Sequence, residues 1–343
     1  MVLSHPFTEQ LIIWQKQAGR HDLPWQRTRD PYRIWLSEIM LQQTQVVTVI
    51  PYYQRFLDHF PNVLALAAAP IEQVIELWAG LGYYARARNL HRCARQIATV
   101  YGGFFPKTEE QLVELAGIGR STAAAIAAFA FGQRAAILDG NVKRVLCRQF
   151  GIEGFPGSAI VERKLWALAV ELLPDKDIEA YTQGLMDLGS TCCTRRKPQC
   201  AKCPVSAGCI ALRDKRQNEL PEPKPRATIP HRSATFALIF DGQRLLLERR
   251  PPTGIWGGLL VPPEGDIDPT LTRLGLCSLS REVLPELKHA FTHYRLTLQP
   301  VLCRVAPQSA VSDITLLWID LSAAAKAGVP TPIAKLIKQI TAG

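Results

Sequence analysis

Four cysteines crowd into one short segment and could bind a metal. Cys193, Cys200, Cys203 and Cys209 follow the spacing C-x6-C-x2-C-x5-C, which brings four thiolates within reach of one site. Four-thiolate sites hold zinc or an iron-sulfur cluster, and the ligand type does not choose between the two. The chain has nine cysteines, and the other five show no spacing that suggests disulfide pairing. A metal therefore explains the segment better than disulfides do. Cys192 falls outside the spacing and is not expected to be a ligand.

A glycine-containing turn, followed by an aspartate and a basic helix, forms a second group. Residues Leu115 to Ser121 read LAGIGRS and lead into an alanine-rich helix, whose first backbone N–H groups are free to bind an anion such as phosphate. An ordinary turn between two helices would explain the glycines equally well. Asp139 then precedes a helix that carries Lys143 and Arg144, and its carboxylate could simply cap the N-terminus of that helix.

A third polar group lies in a stretch that reads as one helix, Pro31 to Val46. Apolar residues recur on one face at helical spacing, while Glu38, Gln42 and Gln45 fall on another. The pattern predicts a carboxylate beside two amides. Taken without context, a lone helical glutamate is more often a solvated surface residue.

The charge of the chain favours a polyanionic partner. The formal net charge is +10 over 343 residues, and it is uneven: Met1 to Arg232 carries 29 basic and 21 acidic residues, whereas Ser233 to Gly343 carries 11 and 9. Nucleic acid matches this excess better than an acidic membrane does. No apolar run approaches the roughly 20 residues of a membrane span, and the N-terminus lacks a signal pattern. We expect a soluble cytoplasmic protein without membrane association.

The chain is long enough for two domains, and a change of pattern separates them. Residues 1–213 read as helices, among them Phe7–Trp14, Ala159–Leu172 and Glu179–Leu188. Residues 214–232 are charged and proline-rich, which predicts a linker. In residues 233–343 strand patterns replace helical ones and predict an α+β domain. We expect strands at Ser233–Phe240, Arg244–Arg249, Arg295–Val305 and Ile314–Ile319, a hairpin at Asp241-Gly242, and a helix at Pro332–Ile340.

Together these motifs resemble those of the helix-hairpin-helix, Gly/Pro-rich, Asp superfamily of DNA glycosylases. Within that superfamily the chain is most similar to the adenine DNA glycosylase, or MutY, family, and the similarity extends over most of the chain. The resemblance implies a mostly α-helical glycosylase domain with the helix-hairpin-helix at about residues 112–131 and an iron-sulfur loop at 193–209. It also implies a Nudix-like α+β domain at 233–343.

The resemblance implies two catalytic carboxylates. The string LSEIMLQQTQV is similar to the family segment that carries the catalytic acid, which corresponds to Glu38. Adenine leaves as a neutral base only if its ring is protonated, and a glutamate can supply that proton near neutral pH only if burial raises its pKa. Asp139 would remain ionised and stabilise the cationic sugar, with Asn141 in support.

The resemblance also implies a set of DNA-contacting residues. The string GLGYYARARNL matches the family's intercalating loop, so Tyr83 is expected to enter the base stack while the arginines that follow grip phosphates. Tyrosines packed in a helical core would fit the same string. The other contacts are expected at the base pocket, the hairpin and a later helix, namely at Gln42, Gln43, Thr44, Gly117, Gly119, Ser121 and Gln183.

One position departs from the bifunctional relatives that resemble endonuclease III. After Gly-x-Gly-Arg those proteins carry a lysine whose amine attacks the sugar, whereas this chain carries Ser121. Without an amine no Schiff base forms, so efficient strand cleavage is not expected to follow base release. Lys143, close to Asp139 in sequence, could still trap the sugar adventitiously.

The cysteine spacing resembles the cubane-cluster loop of MutY and endonuclease III. The resemblance implies one [4Fe-4S] cluster held by Cys193, Cys200, Cys203 and Cys209, with zinc as the alternative. Basic residues between the first two cysteines would meet phosphate, and the cluster would support that loop.

The C-terminal part resembles the Nudix-like domain that ends MutY proteins, on the string GIWGGLLVP. A Nudix hydrolase would be a rival function. Glu264 falls where that family's metal box begins, but the paired glutamates that should follow are missing. The segment Arg281–Glu286 comes too late and contains Pro285 where a ligand-bearing helix is needed. We therefore expect recognition rather than hydrolysis.

Recognition is expected at the string HAFTHY. Phe291, Thr292 and His293 match the family's Phe-Ser-His loop, which faces 8-oxoguanine, with threonine in place of serine. A threonine hydroxyl can make the same hydrogen bond. Alternatively, Phe291 and His293 are simply strand residues on one face.

The function implied is that of a monomeric, monofunctional glycosylase that removes adenine mispaired with 8-oxoguanine or guanine in duplex DNA. Two alternatives remain at this point. A bifunctional glycosylase/lyase for oxidised pyrimidines would fit the fold, and a non-enzymatic, zinc-bearing DNA-binding protein would fit the charge and the cysteines.

Overall fold

A computed structural model of the chain describes residues 5–224, 229–251, 254–291, 294–307, 315–325 and 327–342. The chain forms two units, one made of Met1–Leu77 and Arg86–Arg226 and the other of Trp78–Ala85 and Ala227–Gly343. The predicted fold class is confirmed, with helices before the linker and a mixed sheet with helices after it. Among the helices within the described ranges, none combines the length and the apolar composition that crossing a membrane requires.

Short polar side chains begin many of the helices before the linker. Asp30 and Asn62 accept hydrogen bonds from backbone N–H groups of the first helical turn, and Ser158 does the same further along. The helices are α1 (Pro6–Ala18), α2 (Pro31–Leu41), α3 (Val46–His59), α4 (Val63–Ala68), α5 (Ile71–Trp78), α6 (Ala85–Val100), α7 (Glu109–Val113), α8 (Arg120–Phe131), α9 (Gly140–Phe150), α10 (Ala159–Glu171), α11 (Ile178–Asp187) and α12 (Ile210–Arg213).

Shorter turns carry the remaining segments of this part. A 3-10 turn at Pro24–Arg27 follows the predicted break after α1. A π-helical turn at Leu188–Cys192 and 3-10 turns at Cys200–Lys202 and Ser206–Gly208 carry the cysteine segment into α12.

The prediction of one continuous helix from Pro31 to Val46 was wrong. Helix α2 ends at Leu41, Gln43 adopts a left-handed φ of 57°, and α3 begins at Val46. Gln42 and Gln45 therefore do not continue the helical face that carries Glu38. The spacing of apolar residues did not reveal the break, because α3 has an apolar face of its own that continues the same pattern.

Helix α8 packs against α2 through very small side chains. All six residues from Ala123 to Ala128 are fully buried, and five of them are alanine. Because alanine lets helix backbones approach closely, α8 sits deep in the helical unit. The helix ends at Gly132, whose left-handed φ of 65° forms the C-cap.

The second unit is built on one mixed sheet. Its strands are β1 (His231–Phe240), β2 (Arg244–Arg249), β3 (Leu260–Val261), β4 (Ser278–Val283), β5 (Leu287–Ala290), β6 (Arg295–Val305) and β7 (Leu316–Asp320). Strands β1 and β6 pair in parallel and the other pairs are antiparallel. The order is β3-β2-β1-β6-β4, with β5 paired to β6 and β7 paired to β2. The predicted strands and the hairpin at Asp241-Gly242 are confirmed, whereas β3, β4, β5 and the helix α13 (Ile267–Arg273) were not predicted.

Helices cover both faces of this sheet. Phe236 and Leu238 face a core that includes α15 (Thr331–Ala342) and the short α14 (Leu321–Ala324). Ala237 and Ile239 face the opposite core, which includes Leu271 of α13. Since successive strand residues point to opposite faces, burial on both sides explains why β1 reads as an almost continuous apolar run. Residues 281–283 lie in strand β4 rather than in a helix.

We predict that the tight packing of α8 limits what the chain tolerates there. Ala127→Leu inserts three heavy atoms at a fully buried position and should lower the free energy of unfolding by about 1–3 kcal/mol. Ala130→Leu, at a partly exposed position of the same helix, is the control and should cost less. Urea denaturation followed by circular dichroism measures both, and equal losses would contradict the packing described.

Candidate active site

Glu38 lies on α2 among residues that are almost all buried. Its neighbours Ser37 and Ile39 are buried, as are Trp35 and Met40, whereas Glu38 itself is partly exposed and lines a cavity. The helix begins with Pro31 after the N-cap Asp30, whose carboxylate accepts the N–H of Tyr32. The sequence thus places one carboxylate on an otherwise apolar helix, and the fold directs it into a concavity.

A buried arginine holds the end of that helix. One Nη atom of Arg86 donates to the backbone oxygens of Ile39 at 3.0 Å and Met40 at 2.7 Å, and its other Nη atom donates to the hydroxyl of Thr44 at 2.9 Å. Arg86 is only 9% exposed. It had been expected among the arginines that grip phosphate, but its side chain instead satisfies the last carbonyl groups of the Glu38 helix. The string ARAR gave no signal that one arginine points inward.

Asp139 caps α9, as the simpler interpretation of its position allowed. Its Oδ1 accepts the N–H of Val142 at 2.8 Å, and its backbone oxygen accepts the N–H of Lys143 at 2.9 Å. The side chains of the extended segment before it, Ala135 to Leu138, are buried. The Leu138 N–H donates to the hydroxyl of Ser121 at 2.9 Å. Asp139 is therefore fixed from the helix that follows it and from the segment that precedes it.

The two carboxylates interact electrostatically. Burial raises the pKa of Glu38 to about 8, and the negative charge of Asp139 adds to the rise. Burial also raises the pKa of Asp139, but the N–H groups of Val142 and Asn141 and the charges of Arg144 and Lys143 oppose that rise. Both causes that act on Glu38 raise its pKa, whereas four groups oppose the rise for Asp139, so Glu38 is the member of the pair that favours its protonated form. The pair thus holds one proton over a range of pH in which Glu38 is the acid.

The cavity beside Glu38 is large enough for a heterocyclic base. Its volume is about 920 Å³, within the usual range of small-molecule sites. Trp25 and Leu41 provide apolar walls, and Gln26 and Gln183 provide amides. Asp139 is not among the lining residues, and its negative charge is felt by Glu38, which is one of them.

A buried acid that sequence reasoning missed orients Gln183. Asp187 is 1% exposed and accepts the side-chain amide of Gln183 at 2.8 Å. It also accepts the backbone N–H of Arg20 at 2.9 Å and the Arg20 Nε at 2.8 Å. Gln183, expected from the resemblance to touch DNA, therefore faces the cavity with its amide nitrogen already bonded. A single Asp at the end of a helix gave no signal of this arrangement.

The remaining residues expected at the base pocket lie at the end of α2. Gln42 is the C-cap, and its amide is 3.4 Å from the hydroxyl of Thr122. Gln43 is exposed and has a positive φ. Thr44 binds Arg86 as described.

Tyr83, the residue expected to enter the base stack, is half exposed and has a left-handed φ of 52°.

Helix α6 supports the hairpin between α7 and α8. Gln96 accepts the N–H of Ala116 at 2.8 Å, and Gly117 has a φ of +79°. A Cβ on Gly117 would lie 2.7 Å from the Cβ of Asn89, so only glycine fits there. Gly119 precedes α8 and provides no side-chain cap. The first N–H groups of α8 therefore lack a side-chain acceptor at the cap, which suits an anion.

Asn141 and the arginines of α9 connect Asp139 to the cysteine segment. Asn141 accepts an Nη of Arg144 at 2.9 Å, and Arg144 also donates to the backbone oxygens of Gly189 at 2.6 Å and Cys193 at 2.8 Å. A Cβ on Gly189 would lie 2.7 Å from the Cβ of Asn141. One helix therefore fixes a catalytic candidate at its start and the cysteine segment along its side.

The four cysteines expected as ligands line one small cavity together with Cys192. Arg148 donates to the sulfur of Cys193 at 3.4 Å and to the backbone oxygens of Thr194 and Arg195. Within the part of the chain that the structure describes, no three Cys, His, Asp or Glu side chains are already arranged as metal ligands. Four thiols around one cavity, with a cation beside one of them, nevertheless form a donor set that fits a four-thiolate group.

In the second unit, Phe291 belongs to an aromatic cluster. Its ring stacks on Tyr294 with centroids 4.7 Å apart, meets His289 edge-on at 4.6 Å, and lies 5.5 Å from Trp256. Its N–H donates to the backbone oxygen of Tyr294 at 2.9 Å. Thr292 and His293 lie outside the described residues.

Models of two protein families match the chain. Residues 36–170 match the HhH-GPD superfamily of base excision DNA repair proteins, and residues 234–339 match the NUDIX domain. The adenine DNA glycosylase of Buchnera aphidicola subsp. Baizongia pistaciae is 34% identical over 97% of the chain and 96% of its own length. The human adenine DNA glycosylase is 34% identical over 97% of the chain and 73% of its own length.

Solved structures agree with the helical part of the fold. A thermostable thymine-DNA glycosylase is 32% identical, with a TM-score of 0.56 over 61% of the chain and 95% of its own length. Endonuclease III in a non-covalent complex with DNA is 21% identical, with a TM-score of 0.52 over 61% of the chain and 94% of its own. The second likeness concerns the fold alone.

We predict a stability signature of the buried acid. Because the pKa of Glu38 rises from 4.5 to about 8, its contribution to stability is present below pH 4.5 and is lost as the pH rises toward 8. Glu38→Gln has no charge to bury and should stabilise the protein at pH 7 by an amount on the order of 3 kcal/mol. The gain should vanish near pH 4.

Urea denaturation at the two pH values measures this difference. Glu76→Gln, at an exposed position of α5, is the control. A gain from Glu38→Gln that is the same at both pH values would show that Glu38 is not held protonated by burial.

Proposed function

Since the chain belongs to the adenine DNA glycosylase family, we propose that it removes adenine mispaired with 8-oxoguanine or guanine in duplex DNA. As a family member it is an N-glycosylase of base excision repair that releases adenine. The mispair and the mechanism are our proposal. The observation that carries the mechanism is the buried Glu38, whose pKa of about 8 keeps it protonated at neutral pH beside Asp139.

Adenine extruded from the duplex occupies the cavity beside Glu38. Unstacking a base costs a few kcal/mol and costs less at a mispair, which favours mispaired adenine. The volume of about 920 Å³ admits a purine with its sugar. Gln183 lines the cavity with its amide nitrogen bonded to Asp187, so its amide oxygen is oriented to accept a hydrogen bond from the polar edge of the base.

Glu38 donates its proton to a ring nitrogen of adenine. Protonation lets the bond between the sugar and the base break with both bonding electrons leaving on the base, so adenine departs neutral. Glu38 is left as a carboxylate in a poorly solvated site. Water then adds to the sugar carbon, and its proton returns to a carboxylate of the pair.

Asp139 stabilises the cationic sugar. Burial raises the pKa of Asp139, but the N-terminus of α9 and the charges of Arg144 and Lys143 oppose that rise, whereas no such group opposes the raised pKa of Glu38. An oxocarbenium-like centre that develops near Asp139 is therefore met by a fixed negative charge. Asn141 supports this carboxylate through its backbone N–H and its bond to Arg144.

Base release leaves an abasic site with an intact strand. Ser121 carries no amine, and Lys143 is held by Glu162 at 2.5 Å. With no free amine at the hairpin, strand cleavage does not follow efficiently. This distinguishes the proposal from a bifunctional glycosylase/lyase.

Cys193, Cys200, Cys203 and Cys209 hold one [4Fe-4S] cluster in this proposal. The support is their common cavity and the family's endonuclease III-like fold. When bound, the cluster supplies a rigid cross-link of the segment that Arg144 and Arg148 attach to α9.

The second unit recognises the base opposite adenine. Phe291, Thr292 and His293 form the contact, and the support is the resemblance of their string together with the rigid aromatic cluster around Phe291. Four further residues contact the DNA backbone and the base stack. They are Gly117 and Gly119 of the hairpin, the exposed Gln43 and the half-exposed Tyr83.

We predict adenine release without strand breakage. An end-labelled duplex with one adenine opposite 8-oxoguanine should break at that adenine only after hot alkali. Breaks without alkali would favour the lyase alternative, and binding without breaks would favour a non-enzymatic DNA-binding protein. Glu38→Gln should bind the duplex and release no adenine.

The same assay gives the pH dependence. The protonated form of Glu38 is the active one, so the single-turnover rate constant should fall up to tenfold per pH unit above a pH of about 8. A rate that rises through this range would show that Glu38 acts as a base instead.

We predict that the purified protein is brown and contains about four iron atoms per chain. Metal analysis and visible absorption measure this. Colourless protein with one zinc would overturn the cluster, and Cys192→Ser, which alters a neighbour of the proposed ligands, should keep the iron.

We predict that Thr292 contributes to the preference for 8-oxoguanine over guanine. Thr292→Ala removes a hydroxyl and should slow adenine release opposite 8-oxoguanine about tenfold while leaving release opposite guanine nearly unchanged. Thr292→Ser keeps the hydroxyl and serves as the control. An unchanged preference in Thr292→Ala would remove Thr292 from recognition.

A further inference from the structure

Ser121 makes a bond that its expected role at the DNA surface does not explain. Its hydroxyl oxygen accepts the N–H of Leu138 at 2.9 Å. Leu138 precedes Asp139, and its side chain is 4% exposed. The segment from Gln133 to Asp139 forms no regular helix or strand, so it lacks a ladder of hydrogen bonds that would fix its position.

Thr122, the next residue of α8, contacts the end of α2, the helix that carries Glu38. The hydroxyl of Thr122 lies 3.4 Å from the amide of Gln42, which is the C-cap of α2. This bond is long and is the weaker of the two. Two consecutive hydroxyls in the first turn of α8 therefore face the segments that carry Asp139 and Glu38.

The position of this first turn is fixed from both sides. Towards the C-terminus, the fully buried stretch Ala123 to Ala128 locks α8 into the core. Towards the N-terminus, the hairpin is held by Gln96 and packs on Asn89. A phosphate bound by the backbone N–H groups of the hairpin would thus contact the same turn of the chain that carries Ser121.

We propose that Ser121 is a positioning residue that sets the place of Asp139 relative to Glu38 and couples the phosphate-binding hairpin to the pair of carboxylates. The inference rests on the proposed function. The position requires a short side chain with an acceptor atom. Lysine has no acceptor, and alanine would leave the Leu138 N–H buried without a partner.

The role differs from a DNA contact in what it changes. A residue that only contacts DNA alters affinity, whereas a residue that positions Asp139 alters the rate of bond cleavage once DNA is bound. It also alters the environment of Glu38, because the charge of Asp139 contributes to the raised pKa of Glu38.

The test compares Ser121→Ala with Ser121→Thr in the full-length protein. Ser121→Ala should slow single-turnover adenine release roughly ten- to hundredfold, while the dissociation constant for a duplex with a non-cleavable adenine analogue changes less than about threefold. The pH at which the rate begins to fall should move lower. Ser121→Thr keeps the hydroxyl and should restore most of the rate.

Hydrogen exchange of the Leu138 amide provides a readout that does not depend on activity. In Ser121→Ala this amide should exchange at least about tenfold faster, and in Ser121→Thr it should be protected again. Adenine release at the wild-type rate in Ser121→Ala, or a Ser121→Thr variant as slow as Ser121→Ala, would overturn the proposal. So would a loss of affinity in Ser121→Ala without a change in rate at saturating DNA.

The outcomes separate this proposal from the proposed function. If the wild-type protein releases no adenine, the function is wrong whatever Ser121 does. If the wild type releases adenine and the Leu138 amide exchanges equally in all three proteins, the positioning role is wrong and the function stands.

Discussion

Burial disfavours the charged form of a carboxyl group, and the site of this protein depends on that constraint. Burial raises the pKa of Glu38 to about 8, and the charge of Asp139 adds to the effect. Burial also raises the pKa of Asp139, but the helix N-terminus and two cations oppose that rise. The surroundings therefore favour a proton on Glu38 and a negative charge on Asp139, which is the combination that cleavage of a bond between a sugar and a neutral base requires.

Most of the helical unit serves to fix these two groups. Arg86 closes the end of the Glu38 helix, α8 packs against that helix, and Ser121 at the start of α8 accepts the N–H of Leu138 in the segment before Asp139. Helix α9 begins at Asp139 and then binds the cysteine segment through Arg144 and Arg148. A metal group in that segment would thus stabilise α9 along its side. Holding Glu38 in a buried position lowers the free energy of unfolding. The packing of the surrounding helices offsets that loss.

The sequence was sufficient for many of the elements, but not for the partners of single residues. The strands β2 and β6 and the capping position of Asp139 follow from local patterns that the structure keeps. The break after Leu41 does not follow from a local pattern. The side chain that binds the end of this helix, Arg86, lies more than 40 residues away in sequence. For the same reason the bond between Ser121 and the Leu138 N–H and the bond between Asp187 and Gln183 were not foreseen: the first joins different segments of the chain, and the burial of Asp187 depends on residues far from it in sequence. The exposed strand β4 escaped prediction because one strand at a sheet edge lacks the apolar alternation of a buried one.

Direct observation of the two protonation states tests the central claim most sharply. Infrared difference spectra of the free protein at pH 7 detect the stretching band of a protonated carboxyl group, which a carboxylate lacks. The account predicts one such band that disappears in Glu38→Gln and persists in Asp139→Asn. A band that disappears in Asp139→Asn and persists in Glu38→Gln, or no band in the wild-type protein, would contradict it.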